Sequence, residues 1–193
     1  QKTINVEKVI NLKKNKIFLT ITANSKYSNA KSLFIIDSNS KIKNTYINEA
    51  IRKNIPAIVT NKYQSNIKKI PQFLVKNLEN EKEKIIKKIY KFRPYKTIAI
   101  TGTNGKTSVS WYISNIFNQL KIKNKILGTI GYFNNGKKIK DIQLTTPSYE
   151  ELCNYGSSNK KIKYNFIFEA SSHALDQNRL GKYKIDIAAI TNI

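Results

Sequence analysis

The sequence predicts an α/β protein in two parts. A small N-terminal α/β domain is expected over residues 1–93, then the first part of a mostly parallel-sheet domain over residues 94–193. Three observations predict it. Short apolar runs alternate with helical periods along the chain. A β-branched run at residues 97–101 leads through a Gly-containing turn into an amphipathic stretch. Pro94 interrupts a helical pattern between the halves, which places the boundary there.

In the first half, residues 16–21 and 33–36 read as strands. Residues 46–53 read as a helix with Ile47, Ala50 and Ile51 on one face. Residues 57–60 and 72–75 read as further strands. Residues 78–92 form a stronger helical pattern, with Leu78, Ile85, Ile86, Ile89 and Tyr90 apolar, ended by Pro94.

In the second half, residues 97–101 read as a buried strand and residues 108–120 as a helix. Its apolar positions are Val109, Tyr112, Ile113, Ile116, Phe117 and Leu120. Residues 129–133 and 137–142 flank Asn135-Gly136, a hairpin signal. Residues 164–168 and 185–190 read as two more buried strands.

Composition narrows the function classes. Of 193 residues, 35 are Lys or Arg and 12 are Asp or Glu, a formal charge of +23. Lys, Asn and Ile are spread evenly, which reads as a compositional bias rather than a nucleic-acid stripe. No specific nucleic-acid partner is expected, although a cationic surface favours anionic ligands such as nucleotides. One cysteine, Cys153, excludes an internal disulfide framework and a Cys-rich zinc site. No apolar run has the length of a membrane span, so no membrane insertion is expected, and the expected setting is cytoplasmic.

Residues 101–108 read Thr-Gly-Thr-Asn-Gly-Lys-Thr-Ser. Gly102 and Gly105 permit close backbone approach to a ligand. The loop N–H groups, with the helix N-terminus, form an anion-binding concavity. ATP contacts are expected from Gly102, Thr103, Asn104, Gly105, Lys106, Thr107 and Ser108. Lys106 is placed to reach the terminal phosphates and the Thr107 hydroxyl to ligate Mg²⁺. The common phosphate-loop pattern has a Gly where this chain has Ile100, but the strand before and the helix after supply the required context.

At these residues the chain resembles the Mur ligases, the ATP-dependent amide-bond ligases of bacterial cell-wall synthesis. Leu144-Thr145-Thr146-Pro147 is similar to a substrate loop of the branch that adds the third amino acid. Glu169-Ala170-Ser171-Ser172-His173-Ala174-Leu175, followed by Gln177 and Arg179, is similar to that branch's most distinctive motif. The resemblance is close over residues 97–193 and looser over residues 1–93. In the looser part the family has Asp-Ser-Arg where this chain has Asn24-Ser25-Lys26, leaving Ser25 as the substrate candidate.

The resemblance implies the roles. Glu169 would be a Mg²⁺ ligand and, with Lys106, catalytic; two Mg²⁺ ions are implied, one at Thr107 and one at Glu169. Thr145, Thr146, Ser171, Gln177 and Arg179 would hold UDP-N-acetylmuramoyl-L-alanyl-D-glutamate, and His173 would have a site role. These residues are expected to converge on one cleft beside the phosphate loop, because in-line transfer needs the acceptor near the γ-phosphorus. The implied reaction uses ATP to make an acyl phosphate, which the amine of diaminopimelate or lysine attacks. A monomer is expected. Trp111 is expected to pack, and Cys153 to be a small buried or half-buried residue rather than a nucleophile.

The chain starts at Gln1, contains no Met and stops just after a strand-like run, so it reads as a fragment. The family's carbamylated lysine and C-terminal domain would lie beyond Ile193, and the fragment alone is expected to be inactive. The rival readings are another Mur-fold ligase, such as a folylpolyglutamate synthetase, and a basic nucleotide- or nucleic-acid-binding module without ligase chemistry.

Overall fold

The computed structural model describes residues 4–12, 16–39, 44–158 and 162–192. They divide into two compact units, one within residues 1–89 and one within residues 90–193. The division falls ahead of Pro94. The Phe92 carbonyl accepts from the Ser158 N–H (2.7 Å), and the Tyr95 N–H donates to the Tyr164 carbonyl (2.7 Å), so these residues belong with the second unit.

The first unit is a five-stranded sheet in the order β1-β5-β4-β3-β2. Its strands are β1 (Lys8–Ile10), β2 (Thr20–Thr22), β3 (Ser32–Ile36), β4 (Ala57–Thr60) and β5 (Gln72–Leu74). β2 to β5 run parallel and β1 pairs antiparallel with β5. α1 (Asn44–Arg52) buries Ile47 and Ala50 against Phe34, Ile36 and Ile58. α2 (Leu78–Ile89) ends three residues short of the expected position 92. A proline at 94 would remove the N–H that Tyr90 needs in a continuing helix and would collide with its carbonyl. The strand expected at 16–21 begins only at Thr20, and Ile17 is exposed.

The second unit is a six-stranded sheet in the order β11-β6-β10-β7-β8-β9. β6 (Lys96–Thr101), β7 (Asn124–Gly128), β10 (Asn165–Glu169) and β11 (Ile187–Ile190) are parallel. β8 (Gly131–Asn134) and β9 (Lys137–Lys140) add an antiparallel extension. Asn135 (φ 48°) and Gly136 (φ 78°) form the tight turn between them. One sheet face packs Ile98, Ile100, Ile126 and Ile167 against Val109, Ile113 and Phe117 of α3 (Lys106–Gln119). Trp111 packs edge-on against Phe133 at 5.1 Å. The other face packs Leu127, Phe166 and Phe168 against Leu152 and Tyr155 of α4 (Tyr149–Gly156). Each fully buried Phe contributes on the order of 1.5–3 kcal/mol.

Two expectations are corrected here. The residues of α3 buried most deeply are Ser110 and Ser114, while Tyr112, Ile116 and Leu120 are exposed. The small serines let the helix lie close to the sheet, and their hydroxyls donate to the Thr107 carbonyl and to Asn124 Oδ1. The last strand was expected to be buried; among the described residues β11 is the sheet edge, with Ile187 and Ile190 exposed. Among the described residues no helix is long and apolar enough to cross a membrane.

Candidate active site

The second unit gathers its polar residues at the C-terminal ends of β6, β7, β10 and β11, where parallel α/β sheets bind ligands. β6 delivers the chain into the loop at Gly102. Gly102 has φ 132°, and a Cβ there would stand 2.2 Å from Thr191 Oγ1, so no other residue fits. Gly105 (φ 82°) caps α3 with no side-chain hydrogen bond, which leaves the helix N-terminus facing the loop. Lys106 Nζ donates to the carbonyls of Gly102 (2.6 Å) and Thr103 (3.1 Å), folding over the loop. Ser108 stands exposed in the first turn of the helix.

Two residues unassigned by sequence brace this loop. Asn192 Oδ1 accepts from the N–H groups of Thr103 (2.9 Å) and Asn104 (3.0 Å). The Thr191 hydroxyl bonds to the carbonyls of Thr101 and Asn104. In the sequence they were simply the end of a strand-like run, and only the parallel pairing of β11 with β6 brings them here.

Glu169 is the last residue of β10 and is 1% exposed. A buried carboxylate is costly unless its oxygens are engaged. Oε2 accepts from the hydroxyls of Thr107 (3.1 Å) and Thr129 (2.9 Å). Oε1 accepts from the Thr129 N–H (3.0 Å). Thr129 was expected inside a strand. It lies instead in the two-residue turn between the paired Gly128 and Gly131.

The segment after β9 brings in the two threonines. Thr145 Oγ1 is 3.2 Å from Thr129 Oγ1. Thr146 is buried, with its hydroxyl donating to the Glu169 carbonyl (2.7 Å) and accepting from the Ser171 N–H (2.9 Å). That hydroxyl therefore joins two segments of the site. Ser171 caps the short helix α5 (Ser172–Asp176), its Oγ accepting from the Ala174 N–H at 3.2 Å. Arg179 reaches back across α5: Nη1 donates to the Thr146 carbonyl (3.3 Å) and Nε to Gln177 Oε1 (2.8 Å). With Oε1 so used, the Gln177 amide N–H faces His173 Nε2 at 2.8 Å, which makes that ring nitrogen an acceptor.

Thr107, Glu169, Thr146, Ser171, Gln177 and Arg179 thus form one connected set, which Thr145 joins through Thr129, with His173 at its outer end. Ser25 belongs to the first unit, where it is buried and its hydroxyl donates to Glu49 Oε2 (2.6 Å). Cys153 is half-buried, and burial pushes its thiol up to about 12, which removes it as a nucleophile.

The donor set suits a hard cation. A carboxylate and a hydroxyl within 3.1 Å supply oxygen ligands of the kind Mg²⁺ takes. Among the described residues no group of three or more His, Cys, Asp or Glu is placed to cage a metal. Mg²⁺ does not need such a cage when phosphate oxygens complete its shell.

The model of the Mur ligase middle domain matches residues 100–193. The chain is 33% identical over 186 residues to the UDP-N-acetylmuramoyl-L-alanyl-D-glutamate–2,6-diaminopimelate ligase of Rickettsia prowazekii (strain Madrid E), covering 93% of this chain and 38% of that protein. It is 35% identical to the Rickettsia montanensis ligase of the same name (89% and 37% covered). The Alkaliphilus oremlandii (strain OhILAs) ligase of that name is 32% identical (88% and 35% covered). A solved structure of a ligase with this name superposes with a TM-score of 0.59 at 21% identity, over 91% of this chain and 36% of that one. MurF ligase from Thermotoga maritima in complex with ADP superposes at 0.52 and 20% identity (90% and 37% covered). These superpositions show the shared fold. The chain spans little more than a third of the length of the curated relatives it matches. With residues 101–108, the buried Glu169 and the Thr145-Thr146 pair assembled at the C-terminal ends of the parallel strands, and with these matches, the chain belongs to the Mur ligase family.

Proposed function

We propose that this chain carries the ATP site and the acceptor-substrate site of an ATP-dependent amide-bond ligase of peptidoglycan synthesis. The reaction adds the third residue to UDP-N-acetylmuramoyl-L-alanyl-D-glutamate. The relatives named above act on 2,6-diaminopimelate, and we take the same amine for this protein. The observation that carries the reading is the contact of Thr107 with Glu169. It joins the phosphate loop to the segment bearing Ser171 and Arg179, to which the Thr146 hydroxyl is bonded in turn.

In this reading the loop N–H groups and the α3 N-terminus cradle the ATP phosphates. Lys106 exchanges its loop carbonyls for phosphate oxygens and offsets the charge of the transferring group. Thr107 and Glu169 would hold Mg²⁺; their proximity favours one ion shared between them over one at each. When bound, the ion neutralises charge on the phosphates. Arg179 supplies a planar donor for the substrate's diphosphate or carboxylate. The substrate carboxylate takes the γ-phosphoryl group, ADP leaves, and an acyl phosphate results. The amine then attacks the acyl carbon, forming the amide and releasing phosphate.

Calorimetry with Mg²⁺-ATP on the wild-type chain and on Lys106→Ala tests the phosphate-loop assignment. At least a tenfold loss of affinity is expected in the variant. Equal affinity would remove Lys106 from the site and with it the reading of the loop.

A further inference from the structure

Glu169 is held by a device that uses a residue with no side chain. A Cβ built on Gly128 would stand 2.0 Å from Glu169 Oε1, 2.5 Å from Cδ and 2.7 Å from Cγ. The carboxylate therefore lies across the end of β7 in space that alanine would fill. The next residue, Thr129, contributes both its N–H to Oε1 and its hydroxyl to Oε2. A backbone donor on one oxygen fixes the rotation of the carboxylate plane. The other oxygen then faces the Thr107 hydroxyl at the start of α3.

We infer that Gly128 and Thr129 are positioning residues that lock the Glu169 carboxylate in one orientation, with Oε1 anchored and Oε2 presented to the phosphate loop. The inference rests on the proposed role of Glu169 as a Mg²⁺ ligand and goes beyond it by naming what aims the ligand. The physical need is clear. Mg²⁺ demands near-ideal geometry, and a carboxylate free to rotate would present its oxygen only part of the time. Residues that orient metal ligands typically change metal affinity by 10–100-fold when removed. The N–H of Thr129 survives any substitution except proline, so the hydroxyl and the missing Cβ are the testable parts. Thr129 Oγ1 also lies 3.2 Å from Thr145 Oγ1, which links the metal-side carboxylate to the substrate loop.

The test measures Mn²⁺, a paramagnetic stand-in for Mg²⁺, by the electron paramagnetic resonance signal of the free ion. It is titrated into the 193-residue chain with ADP present. Wild type is compared with Glu169→Ala, Gly128→Ala, Thr129→Val and Thr129→Ser, with melting curves confirming that each is folded. Glu169→Ala should abolish the protein-dependent Mn²⁺ binding. Gly128→Ala and Thr129→Val should weaken it about tenfold or more, and Thr129→Ser should restore it to within about threefold. If Gly128→Ala fails to fold, the Thr129 pair decides. Loss in Glu169→Ala with wild-type binding in Gly128→Ala and Thr129→Val overturns the positioning inference and leaves the metal role intact. Unchanged binding in Glu169→Ala, or none in wild type, overturns the metal role and the inference with it.

Discussion

Both units are built on a mostly parallel sheet, and a fully buried polar residue in each, Gln72 in the first and Glu169 in the second, is satisfied in a different way. In the first unit, Gln72 is fully buried, and its amide bonds to Gln64 and Ile67, eight and five residues away. The Ser28 hydroxyl donates to the Ser25 carbonyl, and the Thr60 hydroxyl to the Lys62 carbonyl. These bonds pin loops to the strands beside them. In the second unit, Glu169 is bound by Thr107 and Thr129, which are 62 and 40 residues away. Asn192 reaches Thr103 across 89 residues. A local partner stabilises a turn. Distant partners converging on one carboxylate require the strands that carry them to be paired first.

The largest effect expected from this difference is on stability alone. Gln72→Leu removes an acceptor from the Gln64 N–H and a donor from the carbonyls of Gln64 and Ile67. Each orphaned buried group costs about 1–3 kcal/mol, so the first unit should lose about 3–5 kcal/mol in urea unfolding. Mg²⁺-ATP affinity should be unchanged. A drop in nucleotide affinity in this variant would break the distinction between the units.

The converse is expected at Arg179. Its partners are the Thr146 carbonyl and Gln177, near the surface. Arg179→Ala should lower affinity for UDP-N-acetylmuramoyl-L-alanyl-D-glutamate by about 1.5–3 kcal/mol, since a ligand charge is left unpaired. The melting temperature should hardly move, because surface substitutions usually stay within about 0.5 kcal/mol. Unchanged affinity in calorimetry would exclude Arg179 from the site, and a large fall in melting temperature would make it scaffold.

The same contrast governs what could be read in advance. The strand at 97–101 and the Asn135-Gly136 hairpin were legible because their signals are local. β7 went unread, although all five of its residues are buried. It opens Asn124-Lys125, which hides a strand of only two branched apolar residues. Lys125 is tolerated because its ammonium reaches the carbonyls of Tyr155 and Ser157 at the end of α4 and lies 4.9 Å from the Tyr164 ring centroid. Burial correspondingly pushes its pKa below the usual lysine range. Missing β7 also meant missing the Gly128-Thr129 turn beyond it. Val109, Ile113 and Phe117 of α3 pack as their spacing predicts, whereas Ser110 and Ser114 look polar until their buried partners are known. The residues that carried the family motifs could be named from sequence, whereas those that hold them in place could not.

The smallest expected effect tests Ser25, the one substrate candidate in the first unit. Its hydroxyl donates to Glu49, which also pairs with Lys53 at 3.0 Å. The Ser25 hydrogen bond, then the one from Lys53, hold the Glu49 carboxyl below its ordinary value of 4.5. The sign of the consequence follows from linkage. A carboxylate with a depressed native pKa binds fewer protons in the folded state than in the unfolded state. Its stabilising contribution is therefore present above the unfolded value and is lost as pH falls through the folded one. Urea unfolding of wild type and Glu49→Gln should differ at pH 7, and the difference should close once the pH is well below 4.5. Ser25→Ala should move the Glu49 carboxyl back toward 4.5 in a carbon-13 NMR titration, because its largest stabilising donor is gone. A Glu49 titration that ignores Ser25→Ala would mean the hydroxyl is not committed to Glu49. Ser25 would then be available to a ligand, and the first unit would hold an uncommitted polar group beside the locally satisfied Gln72.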